Sequence, residues 1–131
     1  MLALTVRQPW AWAIIHAGKD VENRSWPTEH RGPLAVHAGK AEWRGDAICL
    51  MLDGIVLPPE DELIRGAVIG IVDVVDCVRN HDSPWADDGQ YHWVLHNPRA
   101  LSRPMPLRGQ QGLFAVSIPG SYITTSNDWL L

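Results

Sequence analysis

The stretch Gly66-Ala-Val-Ile-Gly-Ile-Val-Asp-Val-Val-Asp-Cys-Val78 constrains this chain more than any other part of it. It is dominated by Val and Ile, whose branched side chains suit a pleated strand better than a helix. Strands ordinarily run about 5–6 residues. One about twice that length cannot lie flat; it bends with the twist of its sheet. Gly70 marks where such a strand would kink or break. If the strand were regular, Asp73 and Asp76 could not share a face. The segment therefore predicts a strongly bent strand of a small barrel-like sheet.

Other elements read more briefly. Leu2 to Val6 predicts a short strand. Gln8-Pro9 opens a helix, with Pro9 at the first helical position, where its missing N–H costs nothing. That helix runs from Trp10 to Ala17 and stops at Gly18, a left-handed cap. Its period places Trp10, Ile14 and Ala17 on a buried face, and Trp12 with His16 on another. Asp20 to Ser25 alternates with period two, so Glu22 and Arg24 share one face while Val21 and Asn23 share the other. Pro33 to His37 predicts a strand ending at Ala38-Gly39, with Leu34 and Val36 opposite Ala35 and His37. Ala41 to Leu52 predicts a second helix, and Asp53 to Asp61 a polar loop. Asn80 to Gly89 reads as a loop, Tyr91 to His96 as a strand, and Pro98 to Gly109 as an irregular connection containing three prolines. A last strand is expected over Gly112 to Ile118. Several short strands and two helices, without a strand–helix–strand rhythm, predict an α+β fold built on a small mixed β-barrel. One domain over residues 1–120 accounts for the core a 131-residue chain can bury, with 121–131 as a peripheral tail.

Composition excludes some roles. No apolar run approaches the roughly 20 residues that span a bilayer, and Met1 to Arg7 has no basic leader of a secretory signal. Cys49 and Cys77 stand in apolar contexts, which predicts reduced, buried thiols in a cytoplasmic protein. The net charge of −4 argues against a general nucleic-acid binder. The charge is unevenly spread, however. Residues 1–44 hold six Lys/Arg against four Asp/Glu, and residues 45–131 hold five against eleven. Any anion site is thus local and lies in the first third. Seven Trp against one Phe and two Tyr leaves room for an aromatic platform beyond the core.

Common motifs fail on their own terms. Gly39-Lys40 lacks both the earlier glycine and the following Ser or Thr of a phosphate loop. His92 and His96 lie in a strand, where four residues span roughly 13 Å, too far to share one ion. No Gly-x-Ser-x-Gly elbow marks a serine nucleophile. Neither a metal nor a cofactor is expected.

A polar constellation remains. Arg7 and Gln8 precede the first helix, whose start offers free N–H groups to an anion. Lys19, Glu22 and Arg24 follow it, and His37 and Lys40 end the next strand. Were the strand after Gly18 to pair with the one ending at Gly39, these groups would converge on one rim. Lys19 and Arg24 would then meet phosphate, and Glu22 would accept from a base or act as a general base. Purely structural roles fit the same residues. Glu22 and Arg24 would form a surface ion pair worth at most about 1 kcal/mol, Lys19 would favour the helix C-terminus, and His37 would be a satisfied, half-buried ring.

The run Leu4-Thr-Val-Arg-Gln-Pro-Trp-Ala-Trp-Ala-Ile-Ile-His-Ala-Gly-Lys-Asp-Val-Glu-Asn-Arg24 resembles the opening of ASCH domains, a PUA-like family, as does Arg31-Gly-Pro-Leu-Ala-Val-His-Ala-Gly-Lys40. Gly66 to Gly70, Tyr91 to Trp93 and Gly109-Gln-Gln-Gly-Leu-Phe114 continue the resemblance along nearly the whole chain. It implies a PUA-like barrel with a cleft beside the first helix, and association with RNA or DNA. One branch resembles amidohydrolases of N4-acetylcytidine, using a Lys, a Thr nucleophile and a downstream Glu. By position the Lys falls on Lys19 and the Thr on Glu22, and a carboxylate is not a hydroxyl nucleophile. For the downstream acid, Asp73 and Asp76 are the candidates. Three functions follow. The first is a binding module for RNA, DNA or a nucleotide, using Arg7, Gln8, Lys19, Glu22, Arg24, His37 and Lys40, with Trp12 or Trp26 stacking. The second is a metal-independent hydrolase of RNA or a modified nucleoside, with Lys19 and Glu22 as its acid/base pair. The third is an interaction protein without nucleic acid.

Overall fold

The computed structural model describes residues 1–41, 50, 51 and 53–123. Six strands form one mixed, curled half-barrel sheet with a short helix beside it, and Leu50 and Met51 are also helical. In chain order these are β1 (Leu2–Val6), α1 (Trp10–His16), β2 (Val21–Arg24), β3 (Gly32–Ala38), β4 (Ala67–Val78), β5 (Tyr91–Pro106) and β6 (Leu113–Ala115). The spatial order is β2-β5-β4-β3-β1-β6, and only β1 and β3 run parallel. Among the described residues the fold is thus mostly β, with a little α. Residues 42–49 and 52 of the helix predicted over Ala41 to Leu52 lie outside the described residues. No helix of the described residues is long and apolar enough to cross a membrane.

The bend predicted for the long strand is present in β4, and its cause is visible in the register. Against β5 the pairing slips three times, between Val68 and Gly70, Ile71 and Asp73, and Val74 and Asp76. Each extra residue increases local twist and curls the sheet. Gly70 also makes room for the helix, since a Cβ there would lie 2.6 Å from Ile15 Cδ1 and 2.8 Å from the Arg99 carbonyl oxygen. Its bare backbone is what lets α1 seat on the sheet. Asp73 pairs with Arg99 at 3.0 Å, and Asp76 lies 3.7 Å from Arg31.

Alternation along the strands separates two apolar clusters. Leu4, Val6, Leu34, Val36, Val72, Val74, Trp93 and Leu95 gather with Ile14 on the helix side. Ala3, Ala35, Val68, Ile71, Leu101, Met105 and Phe114 gather on the other. The helix ends as its sequence predicts: Gly18 takes φ +74°, and the Lys19 N–H closes back on the Ala13 carbonyl at 3.1 Å. Its start differs by a residue, with Pro9 at the cap position after a cis peptide bond.

Two expectations need correction. The connection expected over Pro98 to Gly109 is strand as far as Pro106, because Pro98 and Pro104 fall where the β4–β5 register slips and no ladder N–H is required of them. The β2 strand also does not pair with β3. It lies antiparallel to its neighbour β5, three places away from β3 in the sheet, with Glu22 opposite Trp93 and Arg24 opposite Tyr91. After β6, a 3₁₀ turn at Gly120–Tyr122 and a bridge from Ile123 to Leu101 place the chain against β5.

Candidate functional site

A cleft of about 780 Å³ opens beside α1, between the end of β1, strand β2 and the loop that precedes β5. Its chemistry centres on Glu22, which is 7% exposed. One carboxylate oxygen accepts from Lys19 Nζ at 3.2 Å. The other accepts from Arg24 Nε at 3.0 Å and lies 2.9 Å from an Arg24 terminal nitrogen. Lys19 also donates to the Val21 carbonyl, and Arg24 donates to the Thr5 carbonyl at 2.7 Å. The triad therefore ties the helix C-terminus and β2 to the end of β1.

The local chemistry explains why these three residues meet. Gly18 ends the helix and turns the chain so that Lys19 is buried to 4% exposure beneath Trp10, its ammonium 5.9 Å from the ring centroid. Period two in β2 then puts Glu22 and Arg24 on one face. What the period does not supply is their burial, so the surface ion pair considered above is instead an enclosed three-member network. A buried carboxylate flanked by two cations is stabilised only while all three remain together.

Indoles form the remaining walls. Trp26 lines the cleft and is braced edge-on by the buried Trp93, with ring centroids 4.8 Å apart. Trp10 and Trp85 meet edge to face at 6.5 Å. Asn23 holds the Trp85 segment: its amide donates to the Trp85 carbonyl and its side-chain oxygen accepts from the Asp87 N–H, both at 2.9 Å. Arg7, Asp53 and Asp87 complete the charged lining. Counting Lys19, Arg24 and Glu22, the described lining holds three cations and three carboxylates.

The structure therefore brings together only part of the expected constellation. Arg7, Lys19, Glu22, Arg24 and Trp26 line the cleft. Gln8 is 1% exposed and fully engaged: its side-chain oxygen caps the Trp12 N–H at 2.9 Å and its amide donates to the Ile64 carbonyl. With that N–H occupied, and the Ala11 and Ala13 N–H groups bonded to Arg7 and Pro9 carbonyls, the helix start is not a free anion site. His37 is 2% exposed, with its ring between Thr5 Oγ1 and the Leu107 carbonyl. Lys40 lies along Gly66, and Trp12 against His16. None of these four lines the cleft; for His37 and Lys40, β5 and β4 stand between β3 and β2 in the sheet. Asp73 and Asp76, the candidate downstream acids, do not line it either. Trp10, Asn23, Trp85 and Asp87 were not anticipated. The one available signal was Trp85 itself, an indole within the polar run His-Asp-Ser-Pro-Trp-Ala-Asp-Asp.

A curled mixed sheet carries Glu22 and Arg24 on β2, with Lys19 just before it, beside the first helix. The model of the ASCH domain matches residues 4–105, and the chain belongs to that PUA-like family. Among curated proteins it is similar to activating signal cointegrator 1 of Mus musculus, 29% identical over 119 residues, and to that of Homo sapiens, 27% identical over 119 residues. Each match covers 81% of this chain and 20% of the relative, so the chain spans about a fifth of their length.

Proposed function

We propose that the cleft receives one unpaired nucleobase, carried by RNA, by DNA or by a free nucleoside. The carrying observation is the combination of three indole walls with a charge-balanced polar floor. Bases stack on aromatic faces at about 1–3 kcal/mol each, and a volume of about 780 Å³ lies within the range of small-molecule sites. A phosphate-binding site would carry excess positive charge, whereas among the described lining residues three cations stand with three carboxylates. The floor still offers direction. An ammonium has three donors, and two of Lys19's are used on Val21 and Glu22; a guanidinium has five, and among the described residues Arg24 directs those of Nε and Nη2 to Glu22 and Thr5. Donors of this kind suit a base carbonyl, and the carboxylate lone pairs not used by Lys19 and Arg24 suit an exocyclic amino group.

The hydrolase reading is less well supported. Both Glu22 oxygens accept from fixed donors, which serves recognition better than shuttling a proton. Indole fluorescence titrated with the common nucleosides and a short single-stranded RNA tests the binding reading. Quenching that saturates in the wild type and weakens by roughly 5- to 150-fold in Trp85→Ala is the expected result. No quenching by any of them at millimolar concentration overturns it. Conversion of the ligand to product, abolished in Glu22→Gln, would instead establish the hydrolase.

A further inference from the structure

The loop between β4 and β5 carries Trp85 to the cleft, and a chain of hydrogen bonds runs beneath it. His92, on β5, is 2% exposed. Its Nδ1 lies 3.1 Å from the His81 backbone nitrogen, and its Nε2 lies 2.7 Å from the Asp87 carbonyl. His81 repeats the arrangement, its Nδ1 3.0 Å from the Ser83 backbone nitrogen. Ser83 Oγ then accepts from the Trp85 N–H at 3.1 Å and donates to Asp20 at 2.5 Å.

A backbone N–H only donates, so each Nδ1 must present a lone pair, and a protonated imidazole has none to present. The partners thereby assign His92 as the neutral Nε2–H tautomer and require His81 to be neutral as well. We infer that His81 and His92 are positioning residues of the cleft: two neutral imidazoles set the Trp85 wall in place, and acid releases it. As a statement about ligand binding this rests on the nucleobase reading; as a statement about the loop it does not.

The surrounding groups give the direction. Across the sheet His92 faces Asn23 on β2 and Val78 on β4. On the loop side, Arg79 donates to the Gly89 carbonyl and lies over Tyr91, Asp82 Oδ1 stands 3.9 Å from His81 Nδ1, and Asp87 supplies the carbonyl that His92 binds. Asp20 reaches in from the turn before β2. Protonating His81 exchanges its acceptor role for an ion pair with Asp82. Protonating His92 turns an N–H acceptor into a donor facing a donor. Both changes favour an open loop, so the wall is ordered where the imidazoles are neutral and is lost as pH falls.

Amide exchange followed by NMR between about pH 7.5 and pH 5 tests this without any ligand. After correction for intrinsic exchange rates, protection at His81, Ser83 and Trp85 is expected to fall on the order of tenfold. Protection at Val36 in β3 stays constant. His92→Gln and His81→Gln, which keep an acceptor but cannot titrate in this range, each reduce the pH response, and together they abolish it. Constant protection across the range in the wild type, or an undiminished response in the double variant, overturns the proposal. A pH-responsive loop in a protein that quenches with no nucleoside removes the nucleobase reading and leaves the histidine lock standing. Nucleoside binding over a loop indifferent to pH does the reverse.

Discussion

Glu22 shows how one residue's environment sets its role. The same Glu-x-Arg spacing at a surface would contribute at most about 1 kcal/mol. Here the Lys19 and Glu22 side chains are 4% and 9% exposed, and that of Arg24 is 24% exposed. Removing one partner of an enclosed network leaves charge without compensation, typically at a cost of about 3–5 kcal/mol. Glu22→Gln preserves shape and some hydrogen bonding, so denaturant unfolding should show a loss near the lower end of that range. Adding Lys19→Met should recover part of it, since the coupling resides in the pair. Additive losses in the double variant would show that the two charges do not stabilise each other. The period of β2 made the Glu22–Arg24 pairing legible in the sequence. Its burial depends on Trp10, on the end of β1 and on the loop above, and no local pattern encodes those.

At the scale of elements, α1 and β4 are matched at one point of contact. Gly70→Ala would place a methyl group 2.6 Å from Ile15 Cδ1 and 2.8 Å from a backbone oxygen of β5. The side chain can yield and the backbone oxygen cannot. Overpacking of this kind costs roughly 1–3 kcal/mol, and calorimetry of Gly70→Ala should show it. Shortening the opposing side chain in Gly70→Ala/Ile15→Val should restore only part of the loss; full recovery would mean that the Arg99 carbonyl is not a hard stop. The length and bend of β4 were readable because β-branched residues continue past any ordinary strand end. Its three slips were not, because a bulge is defined against a partner strand. Pro98 and Pro104 misled for the same reason: proline argues against a ladder position, and only the β4–β5 register reveals that these two occupy none. Trp10 was assigned to the core by helical period; it is half-buried, packs against the helix-side cluster and also lines the cleft.

For the molecule as a whole, charge decides which ligands approach. The net charge is −4, and the described residues of the cleft lining balance. Long-range attraction of a polyanion is therefore weak, and few counterions are released on binding. If a single-stranded RNA binds through one base, the slope of log affinity against log salt should be shallow, about −1. A slope steeper than about −3 would mean that a phosphate-tracking surface outside this cleft carries the affinity. The expectation that Lys19 and Arg24 meet phosphate came from counting cations in the first third of the chain. Asp53 and Asp87, from distant parts of the sequence, cancel that count only once the chain is folded.

What the sequence by itself determined is local. It set the two-residue alternation that separates the faces of the sheet, the end of α1 at Gly18, the shared face of Glu22 and Arg24, and the family. The tertiary structure alone decided that β2 pairs with β5, that Gln8, His37 and Lys40 stand apart from the cleft, and that Trp85 closes it. The reason is physical. Alternation and capping arise from the backbone geometry of neighbouring residues, whereas the Asn23–Trp85 contact joins residues 62 apart. Such a contact forms only after β5 has chosen its partners, and that choice minimises the energy of the whole sheet rather than of any segment.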